Sequence, residues 1–77
     1  MMMVVVMKLK ANDYTPEEII KIIREWCEMT QEEFSEKVDI TTGTLQNYEQ
    51  GRRNYTFKKL IEVSKACGIV ITIEKKR

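Results

Sequence analysis

The sequence has no histidine, only two cysteines, one proline and three glycines among its 77 residues. Without an imidazole there is no His-dependent triad, and Cys27 and Cys67 alone fit none of the usual zinc spacings, so neither a metal nor a cofactor is expected. Both cysteines fall in the apolar phase of helical segments. They read as buried reduced thiols and point to a reducing, cytoplasmic setting. No apolar run approaches the roughly 20 residues that span a bilayer, so no membrane partner is expected. Met1–Met7 is short for a signal-peptide core and lacks a basic start and a small-residue cleavage site, and it reads as part of the fold. Internal repeats and low-complexity linkers are also missing. The chain reads as one domain over residues 1–77, of a size that buries a modest core and gains stability from self-association.

The net charge is only +1, but the charge is segregated along the chain. Residues 1–10 carry Lys8 and Lys10. Residues 11–49 hold three basic and ten acidic side chains, and residues 50–77 hold eight basic and two acidic ones. Half the chain is acidic and its last third is basic, a distribution that suits phosphate contacts better than the sum implies.

Periodicity divides the chain further. Val5, Met7 and Leu9 alternate with Val6, Lys8 and Lys10, predicting a strand over 4–10. Thr15-Pro16-Glu17-Glu18 has the capping hydroxyl, the first-turn proline and the third-position carboxylate of a helix start. Ile19, Ile20, Ile22, Ile23, Trp26 and Cys27 then form one apolar face, giving a helix over 15–28. Thr30-Gln31-Glu32-Glu33 repeats the capping box, with Phe34 and Val38 one turn apart, and predicts a helix over 31–38. Asp39 tolerates the left-handed backbone of a tight turn. Thr41 caps a helix over 42–50 in which Leu45 and Tyr48 face inward, and Gly51 supplies its left-handed stop. After the basic loop Arg52–Tyr55, Thr56 caps a helix over 57–67 whose stripe is Phe57, Leu60, Ile61, Val63 and Cys67, ending at Gly68. The period then falls to two: Ile69, Ile71 and Ile73 alternate with Val70, Thr72 and Glu74, a strand over 69–74. The two terminal strands are expected to pair antiparallel. Two short helices joined by about four residues, 31–38 and 42–50, have helix-turn-helix spacing.

Arg24, the run Thr30-Gln31-Glu32-Glu33-Phe34, then Ile40-Thr41, Leu45, Glu49 and Gly51 together resemble the Cro and phage-repressor (XRE-like) helix-turn-helix family. The resemblance covers roughly Ile20–Ile69. It implies a mainly α, four-helix, lambda-repressor-like domain, here with short N- and C-terminal strands forming a small sheet in place of a fifth helix. It further implies double-stranded DNA as partner, with Gln31 and the amides of its helix start on a backbone phosphate. Thr42, Gly43, Thr44, Gln46 and Asn47 match the positions that face bases. Arg52, Arg53, Asn54 and Lys58 match those that follow on phosphates. Arg24 and Glu49 match an ion pair tying the first helix to the end of the third.

The chemistry of these residues bounds what they read. Asn makes two hydrogen bonds with adenine, and a Thr methyl rests against that of thymine. Gly43 reads nothing directly, where the family usually carries a larger side chain, so a modest base code with a contribution from DNA shape is expected. The leading function is a DNA-binding transcriptional regulator, in its finer form a repressor, acting on a pseudo-palindromic operator as a homodimer joined through the terminal strands. The alternative is an antitoxin-type interaction module that holds a toxin partner and binds its own promoter. An enzyme is not expected, because the best carboxylate cluster, Glu32, Glu33 and Glu36, lies on a short exposed helix where nothing raises a pKa.

Overall fold

Each α-helix among the described residues begins on a threonine. In the computed structural model, which describes residues 7–75, Thr15, Thr30, Thr41 and Thr56 each adopt an extended backbone. Each accepts a hydrogen bond on its hydroxyl from the amide three residues ahead. At Thr15 and Thr30 the bond is returned: Glu18 and Glu33 accept from the threonine amides at 2.9 and 3.0 Å. Those hydrogen bonds favour the carboxylate, so both glutamates are held below the ordinary carboxylate pKa. The helices so started are α1 (Pro16–Trp26), α2 (Gln31–Lys37), α3 (Thr42–Glu49) and α4 (Phe57–Cys67).

The first helix stops two residues earlier than its hydrophobic period suggests. Cys27 caps it and Glu28 turns into the left-handed region at φ 54°, a conformation that no sequence signal announces at a glutamate. Asp39 makes the α2–α3 turn at φ 59°, and Gly51 ends α3 at φ 73°. Between them, α2 and α3 form a helix-turn-helix packed on α1.

Flanking the helices are β1 (Met7–Lys10), followed by a 3-10 turn at Ala11–Asp13, and β2 (Ile69–Thr72). Residues 4–6 of the expected first strand lie outside the described residues. The strands pair parallel, with Met7 opposite Ile69 and Leu9 opposite Ile71; the antiparallel expectation is corrected. The whole helical body separates the two strands, a connection long enough for the crossover that parallel pairing requires. Parallel alignment sets Leu9 and Ile69 together in the core and brings the two strand ends side by side. There the Asn12 side chain both donates to the Glu74 carbonyl, at 2.8 Å, and accepts from its amide, at 3.0 Å. Lys10 and Glu74 pair across the same end at 3.0 Å.

The core joins the sheet to the helices: Leu9 and Ile69 with Ile19, Ile20, Ile23, Phe34, Val38, Leu45, Leu60 and Val63. Cys27 and Cys67 are free and half-buried rather than fully interior. Burial, together with the neighbouring Cys27 thiol, pushes the Cys67 thiol up to about 12, so it stays protonated at neutral pH. Two contacts tie the loops down. Tyr55 donates its hydroxyl to the Pro16 carbonyl at 2.6 Å while its ring meets Tyr48 edge-on at 5.4 Å. Lys59 donates to the Val38 carbonyl at 2.8 Å and so closes the C-terminal end of α2.

Candidate nucleic-acid interface

A helix that enters a DNA groove must be held firmly from behind while its outer side chains stay free. In this protein the support is a polar cluster. Arg24 of α1 donates from Nε and a terminal nitrogen to the two carboxylate oxygens of Glu49, at 2.8 and 3.0 Å, and from its other terminal nitrogen to the Met29 carbonyl at 3.1 Å. The two side chains are only 17% and 6% exposed. The hydrogen bonds from Arg24 to Glu49 raise the guanidinium pKa further. Glu49 is the last residue of α3, and the pair therefore fixes that helix to α1 and to the turn before α2.

Gln31, the first residue of α2, joins the same carboxylate through its amide nitrogen at 3.4 Å. Its carbonyl oxygen accepts from Gln46 of α3, also at 3.4 Å. A second bridge crosses the turn: the buried Ser35 donates to the Glu32 carbonyl at 2.9 Å and meets the Thr42 hydroxyl at 3.1 Å. Ser35 has one hydroxyl proton and spends it on Glu32, so Thr42 is the donor between them.

These bonds sort the residues expected to face bases. Thr42 and Thr44 are half-buried and their hydroxyls are engaged at the helix start, Thr42 on Ser35 and Thr44 on the capping Thr41 at 2.8 Å. Gly43 and Gln46 are exposed, and Asn47 is half-exposed. A side chain at Gly43 would meet nothing within 4 Å, so no internal packing demands glycine there. Asn47 also serves through its backbone, its carbonyl accepting from the amides of Arg52 and Arg53 at 2.9 and 3.3 Å. That fold-back sets the basic segment directly after α3. Arg52, Arg53, Asn54 and Lys58 are all exposed, and Gln31 is half-buried.

Ser35 and the Gln31–Gln46 link were not anticipated. Nothing local marks either, since a serine in mid-helix and a glutamine on a polar face are ordinary surface residues until the partner helix is in place. Among the described residues there is no cluster of potential metal ligands, and no helix is long and apolar enough to cross a membrane.

A helix-turn-helix family model matches residues 20–71, which include all four helices but for the first turn of α1, together with most of β2. No curated protein and no solved structure matches the chain. The geometry and the family match agree on the same segment, and the chain belongs to the helix-turn-helix family of Cro and phage-repressor (XRE-like) type, a family of DNA-binding regulators.

Proposed function

We propose that the protein is a cytoplasmic transcriptional repressor that binds a pseudo-palindromic operator as a homodimer, each α3 entering one of two successive major grooves roughly 34 Å apart. The observation that carries this reading is the Arg24–Glu49–Gln31 cluster. It holds the start of α2 and the end of α3 rigidly from behind and leaves Gly43, Gln46 and Asn47 toward solvent, with Arg52, Arg53, Asn54 and Lys58 next along the chain. Gln31 and the basic segment take phosphates; α3 takes bases.

The dimer is proposed to form through the terminal strands. A two-stranded sheet has two open edges, and Val70 and Ile73 are 43% and 68% exposed beside it. The second reading, an antitoxin-type module that also binds its own promoter, draws on the same exposed apolar residues together with Phe57, which is 63% exposed.

Selection of bound duplexes from random DNA, with affinity followed against salt, tests the first reading. Two related half-sites and an affinity that falls steeply with salt are expected. An affinity independent of salt overturns the phosphate contacts, and a monomer at high micromolar concentration overturns the dimer. Co-purification with a stoichiometric partner protein selects the antitoxin reading.

A further inference from the structure

The hydrogen bonds around Glu49 have a direction. Both carboxylate oxygens of Glu49 accept from Arg24, and a carboxylate only accepts. The Gln31 amide therefore turns its nitrogen to Glu49 and its oxygen away, the orientation observed; the reverse would set oxygen against carboxylate oxygen. With its oxygen outward, Gln31 can only accept from Gln46, so Gln46 turns its own nitrogen inward to Gln31. One charge thus fixes two amides in series. Gln46 keeps two groups without a protein partner, its carbonyl oxygen Oε1, an acceptor, and the second proton of its amide nitrogen, on an exposed residue of α3.

We propose that Gln46 determines specificity through this oxygen, accepting a hydrogen bond from the exocyclic amino group of a base, adenine N6 or cytosine N4, and that Glu49 sets this polarity through Gln31. The inference rests on the DNA-binding reading above and adds the chemistry of one contact to it. Guanine O6 and thymine O4 present acceptors in the same groove; facing the Gln46 oxygen they leave two acceptors without a proton between them. Glu49 and Gln31 are positioning residues here, acting on the base only through Gln46.

The test compares duplexes selected by the wild type, Gln46→Met and Gln31→Met. The wild type is expected to prefer adenine or cytosine over guanine or thymine at one position per half-site, by about five- to tenfold for one hydrogen bond. Gln46→Met loses that preference. Gln31→Met weakens binding to every duplex by removing a phosphate contact, and also flattens the preference at the same position, although residue 46 is unchanged. A site in which that base lacks its amino group, purine replacing adenine or 2-pyrimidinone replacing cytosine, separates the two bases: the wild type loses about five- to tenfold on the one it reads, and Gln46→Met loses nothing.

The inference is overturned if Gln46→Met selects the same sites as the wild type, if the preferred base at that position is guanine or thymine, or if Gln31→Met keeps full discrimination there. In each of these cases salt-dependent, sequence-selective binding persists and the DNA-binding reading stands. Loss of all salt-dependent binding by the wild type overturns both.

Discussion

Arg24 and Glu49, 25 positions apart, meet in a two-point ion pair that leaves the carboxylate 6% exposed. Such a pair adds little net stability once desolvation is counted, but removing one partner strands a buried charge. Arg24→Met or Glu49→Leu alone is expected to destabilise the fold by about 3 kcal/mol. The double replacement should recover most of that loss. It should not recover DNA binding, because Gln31 loses the carboxylate that holds its amide. Chemical denaturation of the three variants, with a binding titration on the double one, checks both parts; a fully active double variant contradicts the positioning role of Glu49.

Two glycines of the helix-turn-helix are expected to respond with opposite sign. Gly43 sits in the first turn of α3 with open space where a side chain would go. Gly43→Ala should therefore stabilise the protein by roughly 0.5–1 kcal/mol through the lower helix propensity of glycine. Gly51 lies at φ 73°, and an added methyl would stand an ordinary 3.5 Å from Glu17, so Gly51→Ala carries only the left-handed penalty of about 1 kcal/mol. If glycine serves close approach of the α3 backbone to DNA, Gly43→Ala also lowers affinity while raising the melting temperature. Melting curves beside binding isotherms separate the two effects.

How much of this was legible in the sequence depended on range. The four threonine caps were, because a cap is a matter of three or four neighbouring residues. So were the left-handed turns at Asp39 and Gly51 and the core stripe of α1. The stripe expected on α4 is corrected in part: Leu60 and Val63 are buried and Cys67 half-buried, but Phe57, in the first turn of the helix, is exposed. The strand direction was not legible: alternation of apolar residues fixes which face is buried but says nothing of whether a partner more than 60 residues away runs with it or against it. The same limit hid Tyr55, which reads as part of a basic loop until Pro16, 39 positions earlier, accepts its hydroxyl. At the interface, the pairing of Arg24 with Glu49 came from the family resemblance alone. Thr42 looked free for DNA because its partner, Ser35, belongs to a different helix.

Asn47 and Arg52 are neighbours through the Asn47 carbonyl, yet their side chains are assigned different tasks. Asn47→Ala is expected to relax preference at one base position, by about 1–3 kcal/mol if the contact is bidentate. Arg52→Ala should weaken all sequences alike and lower the slope of log affinity against log salt by about 1. The comparison uses the selected site, its single-base variants and a random duplex at several salt concentrations. Equal loss on every sequence for both variants removes Asn47 from the base-reading set.

Tyr55 gives a prediction in pH. Burial, and secondly the charge of Glu17, push its hydroxyl from 10.0 up to about 12. The folded state thus holds this proton at pH values where the unfolded chain has released it. A folded pKa above the unfolded one contributes stability that is complete below the unfolded value and is lost as pH rises toward the folded value, here between pH 10 and about 12. Tyr55→Phe removes the hydrogen bond to the Pro16 carbonyl and should lower stability by about 1 kcal/mol at neutral pH. It also removes the titrating group. The gap between wild type and variant should therefore narrow steadily above pH 10, as read from denaturation midpoints at pH 8, 10 and 11. A gap that stays constant across that window would mean that the Tyr55 hydroxyl titrates alike in the folded and unfolded chain, and that its contact with Pro16 leaves it in an environment much like water.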